Sequence, residues 1–262
     1  MKRTNQFLIL VAMAGFTFTS CQKSAKDPVT DEISQDVMMK LRDQGYGTNN
    51  VQKVEEGYLV EGDMLITPEM LSQPATSPTL IIANEEQYRT TNLVSVSGSR
   101  NITVSVSGSY NSTFSSAVDA AIARYNAENL SITFSRVASG GNINIKIVNT
   151  GQYIASAGFP SGGNPYNTIK YAKKYSNYSL NFMTTVVAHE MGHCIGFRHT
   201  DYMNRSYSCG TGGSEGASTV GAIHIPGTPT GPDPNSWMLA CLSSTTNRPF
   251  NNNDKTALDY LY

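Results

Sequence analysis

Charged side chains are scarce in this chain: Asp, Glu, Lys and Arg together make 15% of its 262 residues, and the net charge is -1. Soluble domains usually carry about 25% charged residues, and proteins that bind nucleic acid present an excess of Lys and Arg. We therefore expect no nucleic-acid partner. Glycine and proline, at 22 and 11 residues, are close to average, which excludes a collagen-like or low-complexity chain.

The chain also lacks an apolar run of the roughly 20 residues that a membrane-spanning helix needs. Its longest run extends from Phe7 to Phe18, and Lys2 and Arg3 precede it. A short apolar run behind positive charges is typical of a signal peptide. We expect residues 1–20 to be a signal peptide and the protein to be exported.

Small residues stand directly before the first cysteine, in the order Phe18-Thr19-Ser20-Cys21. This stretch resembles the lipobox of bacterial lipoproteins, whose cysteine becomes the acylated first residue. The resemblance implies a lipid anchor at Cys21 and a tether over residues 21–32. The protein would then be a membrane-anchored lipoprotein, periplasmic or at the cell surface. Ordinary signal cleavage nearby is the alternative and would give a secreted protein.

Cysteine is rare, with four residues in the chain, so few disulfides can form. Beyond Cys21 there are Cys194, Cys209 and Cys241, enough for one pair in an exported protein. We favour Cys209 with Cys241, because both lie in a segment with little predicted core. Cys194 lies on a predicted helix and should face inward. Pairing of Cys194 with Cys209 stays open.

Residues 33–89 are predicted to form a small propeptide-like region that ends in a linker. A helical pattern is followed by two short strands around Glu61-Gly62-Asp63. The polar stretch that reaches Arg89 predicts an exposed linker, where a propeptide would be cut.

Residues 90–262 mix predicted strands and helices. Two copies of Val-Ser-Val-Ser-Gly-Ser, starting at Val94 and Val104, predict neighbouring strands. A loop-rich stretch precedes the C-terminus. The predicted helices are one with a capping box at Ser116, one over Phe182 to Ile195 with its apolar residues on one side, and one over Asp254 to Tyr260.

Three of the four histidines lie close together in sequence, at His189, His193 and His199. The first two are four residues apart, so a helix places them on one face, as two zinc ligands require. The third needs the helix to stop, and Gly196 lets the chain turn back. Glu190 lies beside the ligands and can act as a general base. Three histidines leave one position open, as in catalytic sites; a closed structural zinc site is the alternative.

The string His-Glu-Met-Gly-His-Cys-Ile-Gly-Phe-Arg-His-Thr-Asp resembles the zinc signature of the metzincin metallopeptidases, and in particular that of the bacterial dual-action HEIGH metallopeptidases. Ser236-Trp237-Met238 resembles their Met-turn, in which the methionine is buried below the zinc. The resemblance implies an α+β fold for residues 90–262: a mixed twisted sheet with two long helices over a loop-rich lower subdomain, and a C-terminal helix.

The same resemblance implies a zinc endopeptidase with one catalytic Zn²⁺. It would hydrolyse protein or peptide substrates with a zinc-activated water and with Glu190 as general base. We expect a monomer. A surface binding or adhesion module on the same scaffold is the alternative, but a pure binder has no use for Glu190.

Substrate is expected to add itself as an extra strand along Ala157, Gly158 and Phe159, which are similar to a matrixin edge strand. The stretch from Ile225 to Asn235 is expected to line the pocket beside the cleaved bond. His224 is interpreted as a loop residue and not as a fourth ligand.

The stretch Val60-Glu61-Gly62-Asp63-Met64 resembles the astacin propeptide motif. The aspartate of that motif occupies the open position of the zinc and keeps the enzyme latent. The resemblance makes Asp63 a candidate for latency. An ordinary turn between two strands is the alternative.

Overall fold

The segment before the histidine motif folds into a small layer of its own. The computed structural model describes residues 33–44, 46–48, 50–72, 87–210, 213–214, 222–229 and 232–262. Within residues 33–72, three antiparallel strands lie in the order β1-β2-β3. The elements are α1 (Gln35–Asp43), β1 (Gln52–Val54), β2 (Gly57–Val60), β3 (Met64–Ile66) and α2 (Pro68–Leu71).

This upstream layer packs against the rest of the chain. Its buried side chains include Leu41, Val60, Ile66 and Leu71, and Phe159 belongs to the same apolar cluster. The layer therefore shares its core with the region that carries the histidines, and residues from Ile33 to Tyr262 form one compact unit.

The linker predicted near Arg89 is not exposed from Gln87 to Thr90, whereas Thr91 at its end is exposed. Strand β4 (Tyr88–Arg89) is followed by Thr90, whose backbone N donates to the Gly196 carbonyl at 2.8 Å. The side chains of Gln87, Tyr88 and Thr90 are all buried. Polar composition suggested exposure, but distant parts of the chain cover these residues. Earlier linker positions, residues 73–86, lie outside the described residues.

The main sheet is mixed, as predicted. Its strands are β5 (Arg100–Ser107), β6 (Ile132–Arg136), β7 (Ile143–Val148), β8 (Ala155–Ser156) and β9 (Thr168–Ala172). In the described part of the chain they lie in the order β6-β5-β7-β9-β8. All are parallel except β8, the edge strand, which runs antiparallel to β9.

Two long helices, α3 (Ser112–Asn126) and α4 (Leu180–Ile195), pack against each other, and α4 also contacts β8 and β9. Every residue of α4 from Phe182 onward is buried. The sequence predicted that only one side of this helix would be buried, which is too small a part of it. This helix is enclosed on all sides, which is typical of a central helix.

Two local predictions in this region are wrong. Helix α3 begins at Ser112, where the Asn111 side chain accepts a hydrogen bond from Phe114 N at 2.8 Å, so Ser116 is an interior residue and not the cap. The first Val-Ser-Val-Ser-Gly-Ser copy is not a strand, although its Val94 is buried. Only the copy at Val104 belongs to a strand, and its first four residues end β5 at Ser107.

The C-terminal part is loop-rich, as predicted, with α5 (Ser206–Cys209), β10 (Ile223–His224) paired with β4, and α6 (Asn252–Leu261). Cys209 and Cys241 form a disulfide, and Cys194 is a buried free thiol, which confirms the favoured pairing. The fold is α+β. Among the described residues no helix has the length and apolarity to cross a bilayer. The predicted signal peptide, tether and Cys21 lie outside the described residues.

Candidate metal centre

Helix α4 and the turn after it bring the three histidines together. His189 and His193 lie one helical turn apart, with ring centroids 4.7 Å apart. The helix ends at Gly196 in a left-handed conformation, φ 112°. A side chain there would also collide with Leu93, since a Cβ would lie 2.7 Å from its Cδ2. The chain then turns back and places the ring of His199 4.9 Å from that of His193.

Backbone carbonyls orient the first two imidazoles. His189 Nδ1 lies 2.8 Å from the Trp237 carbonyl, and His193 Nδ1 lies 2.8 Å from the Phe197 carbonyl. A carbonyl can only accept, so each Nδ1 carries the proton and each Nε2 keeps its lone pair. Both Nε2 atoms are buried and make no hydrogen bond within the described residues. Converging buried lone pairs of this kind fit a bound cation, and imidazole nitrogen suits Zn²⁺.

A carboxylate from the upstream layer completes this group. Asp63 Oδ2 lies 3.2 Å from His199 Nε2 and 3.4 Å from His189 Nε2. Asp63 Oδ1 lies 4.0 Å from His193 Nε2. One ligand atom from each of the four residues lies within 4.8 Å of all the others. The three histidines and Asp63 therefore form one set that could hold a metal ion.

The charge balance of the group favours ionised Asp63. Burial opposes its ionisation, yet the neighbouring His199 outweighs burial and holds the pKa of Asp63 well below its usual range. Burial, with His189 and His199 nearby, lowers the pKa of His193 well below its usual range. A neutral imidazole beside a carboxylate is the protonation pattern that metal binding requires.

Glu190 lies beside this group, and its side chain is buried. Burial, together with the nearby carboxylate of Asp63, raises the pKa of Glu190 well above its usual range, against the opposing effect of His199. A carboxylate with a raised pKa is a stronger base than a solvated carboxylate. Glu190 is therefore suited to accept a proton and to release it again.

The turn at Trp237 and Met238 lies under the histidines. Met238 is fully buried, and its carbonyl accepts a hydrogen bond from Thr200 N at 3.0 Å. A Cβ added to Gly192 would lie 2.6 Å from Met238 Sδ, so α4 passes very close to this methionine. The turn thus supports both the helix that carries two histidines and the segment that carries the third.

A family model described as dual-action HEIGH metallo-peptidase matches residues 59–262. The chain belongs to this family. Membership confirms that the protein is a metallopeptidase, the class predicted from the histidine motif. The matched range of this HEIGH metallopeptidase begins at Leu59 and so includes Asp63.

Two solved structures of myroilysin are similar to this HEIGH metallopeptidase. One is 19% identical with a TM-score of 0.40, and the match covers 62% of this chain and 80% of that one. The other is 17% identical with a TM-score of 0.42, and the match covers 76% of this chain and 98% of that one. No curated protein matches the sequence.

The edge that was expected to receive substrate is paired with the upstream layer of this HEIGH metallopeptidase. Ala157 N donates to the Asp63 carbonyl at 3.0 Å, and Leu65 N donates to the Ala157 carbonyl at 2.8 Å. Phe159 is buried, with its ring centroid 5.6 Å from that of His193. Gly158 lies against the ring of Tyr166, where a Cβ would be 2.8 Å away.

A cavity of about 240 Å³ lies beside His189 and Glu190. Residues after Met238 line it, and the expectation that Ile225 to Asn235 line the substrate pocket stays a prediction. Tyr153, before the edge strand, and Arg205, after the third histidine, were not predicted. The other lining residues are Gly62, Asp63, Ile154, Ala155, Val186, Ala240, Cys241 and Leu242.

His224 does not join the metal group. It lies in β10, so it is a strand residue and not the predicted loop residue, and its Nε2 is 3.3 Å from Thr228 Oγ1. Arg198 was also missed, although it stands inside the histidine motif and its guanidinium lies against Glu61 of the upstream layer. The sequence did carry a signal for this residue: an arginine inside a metal-binding motif whose neighbours are buried needs a partner.

Proposed function

We propose that the protein is a zinc-dependent endopeptidase in which His189, His193 and His199 hold one catalytic Zn²⁺. The observation that supports this proposal most strongly is that buried imidazole nitrogens converge beside Glu190 at the wall of a cavity. The proposal includes a metzincin-like catalytic domain over residues 90–262, with Met238 in the role of the Met-turn methionine.

Bound at these histidines, Zn²⁺ would supply Lewis acidity, which polarises a peptide carbonyl and makes water more acidic. Glu190 takes the proton of the attacking water and passes it to the leaving amine. Ala157 offers its backbone N and carbonyl to an extended substrate once the upstream layer is gone, because in the uncut chain these groups bond to Asp63 and Leu65. The cavity bounded by Tyr153 and Leu242 receives a side chain next to the scissile bond.

We propose further that residues 33–72 keep the enzyme latent. Asp63 fills the position on the histidines that a substrate carbonyl and water need. The backbone from Asp63 to Leu65 occupies the hydrogen bonds of Ala157 at the edge of the sheet. Activation then requires removal of this layer. Because Gln87 and Tyr88 are buried with the catalytic part, the cut lies between Leu71 and Gln87.

Export and lipid anchoring at Cys21 are part of the proposal and rest on the residues around Cys21. Incorporation of radiolabelled palmitate into the wild-type chain, and its loss in Cys21→Ala, would support them. A wild-type chain without label would exclude the anchor.

The test uses the full-length chain, folded intact, cleaved at a protease site placed between Leu71 and Gln87 and then separated from the released upstream layer; we refer to this protein as the cut chain. The cut chain is expected to digest casein, to stop when 1,10-phenanthroline removes the metal, and to recover when Zn²⁺ is restored. Digestion that is insensitive to the chelator, or a zinc-loaded cut chain that hydrolyses nothing, would contradict the proposal.

A further inference from the structure

Glu61 lies two positions before Asp63 and enters a buried site on the catalytic part of the chain. Its carboxylate oxygens accept hydrogen bonds from Arg198 Nη2 at 2.9 Å and 2.7 Å. The Glu61 carbonyl accepts a hydrogen bond from Arg205 Nη1. The side chains of Glu61 and Arg198 are at most 1% exposed, so this is a desolvated ion pair.

The backbone at this point is shaped so that the carboxylate reaches Arg198. Glu61 has φ 56° and Gly62 has φ 97°, two consecutive left-handed residues. A left-handed conformation is unfavourable for a residue with a Cβ, and surrounding contacts must compensate for it. Here the compensating contacts are those of the two arginines.

Arg198 is held in place by residues that stay after the upstream layer is removed. Its backbone N donates to the Tyr88 carbonyl at 2.9 Å, and His199 follows it directly in the chain. The guanidinium lies between two rings, 5.7 Å from the centroid of Tyr202 and 5.8 Å from that of Tyr46. Removal of the layer takes away Glu61 and Tyr46, while the ring of Tyr202 and the backbone contact with Tyr88 stay with Arg198.

We propose that Arg198 is a specificity residue which, in the active enzyme, binds an acidic side chain of the substrate two or three residues from the scissile bond. The segment from Glu61 to Leu65 pairs its backbone with Ala157 and brings Asp63 to the histidines, which are the groups that the proposed function assigns to substrate. Glu61 therefore marks where a substrate side chain would lie. A partly buried guanidinium favours a carboxylate there, through charge-assisted hydrogen bonds. This inference rests on the proposed function.

The first test needs no variant of the enzyme. The synthetic peptide of residues 57–66 is added to the zinc-loaded cut chain and compared with its Glu61→Gln twin. Loss of a charged hydrogen bond predicts a dissociation constant about tenfold or more higher for the twin. An Asp63→Asn peptide controls for loss of the metal contact. Fluorescence anisotropy of labelled peptides measures binding without turnover, and equal affinities of the wild-type peptide and its Glu61→Gln twin would overturn the proposal.

The second test measures specificity. Pairs of substrate peptides carry Glu or Gln at each of the three positions on either side of the scissile bond. We expect kcat/KM to favour Glu by about tenfold or more at one position, and the Glu to Gln ratio to fall toward one in Arg198→Gln. Arg100→Gln is the matched control, because its guanidinium bonds to Ser95, Gly163 and Asn164 and is not among the described residues that line the cavity, so this variant should keep the ratio.

Two results would overturn the assignment of Arg198: a cut chain that hydrolyses peptides without any preference for Glu, or a preference that persists in Arg198→Gln. Neither result would contradict the proposed peptidase activity. A zinc-loaded cut chain that hydrolyses nothing contradicts the proposed function instead, and the anisotropy measurement still decides on Arg198.

Discussion

Oδ2 of Asp63 lies 3.2 Å from Nε2 of His199, although the two residues are 136 positions apart in the chain. The contact joins the turn between β2 and β3 to the segment that follows α4. It places a carboxylate where an anionic ligand would compete with substrate for a metal held by the histidines. The contact between these two residues is therefore the observation on which the proposed latency rests.

Replacing Asp63 by Ala should raise the activity of the uncut protein, by about tenfold or more, because the competing carboxylate is lost. Peptide hydrolysis by the uncut chain measures the effect. Asp36→Ala is the control, since Asp36 lies in the same upstream layer but pairs with Lys40 at the surface. Equal rates for the uncut wild type, Asp63→Ala and the cut chain would mean that the upstream layer is only a spacer.

Changing His189, His193 and His199 together to Ala should abolish zinc binding. Elemental analysis of the wild-type protein should give about one zinc per chain, and the triple variant should retain little. Circular dichroism checks that the triple variant is folded. Full zinc occupancy in the triple variant would show that the ion binds elsewhere.

Gly192→Ala should destabilise the protein, even though Ala favours helices by about 1 kcal/mol over Gly. The added Cβ would lie 2.6 Å from Met238 Sδ and 3.2 Å from Trp237 Nε1, so overpacking should cost about 1–3 kcal/mol in the free energy of unfolding. Gly151→Ala is the matched control, because its Cβ would meet nothing within 4 Å. A Gly192→Ala variant as stable as wild type would contradict the close approach of α4 to the turn at Met238.

Removing the disulfide should cost about 3–4 kcal/mol, because Cys209 and Cys241 are 32 positions apart and the bond restricts a long loop in the unfolded chain. Urea unfolding of Cys209→Ser/Cys241→Ser gives the value. A reductant should lower the stability of the wild type and leave the double variant unchanged. Cys194 should react with a thiol reagent only after unfolding, and a linked Cys194 in non-reducing peptide maps would contradict the structure.

The parts that the sequence predicted correctly depend on local rules. The spacing of His189 and His193 requires a helix, and Gly196 allows its left-handed end, so the observed helix and turn follow from short-range geometry. The pairing of Cys209 with Cys241 could be favoured because Cys194 lies on that same helix, facing inward.

One error was local: Ser116 fits a helix cap, but Asn111, another preferred cap residue, is the one whose side chain caps α3. The other features that the sequence did not predict depend on distant contacts. Nothing near Gln87 indicates that the C-terminal region buries it. The pair of Glu61 and Arg198 joins residues 137 positions apart, and neither residue type alone predicts a partner. The first of these contacts is set by the packing of the C-terminal region and the second by how the upstream layer docks, and no local pattern encodes either.

The most direct test of the account is the effect of Glu190→Ala on hydrolysis by the zinc-loaded cut chain. Turnover should fall about 10²–10⁴-fold, which is the usual contribution of a general base. The zinc content should stay at about one ion per chain, because Glu190 is not a ligand. A fully zinc-loaded Glu190→Ala variant that hydrolyses peptides at the wild-type rate would contradict the account.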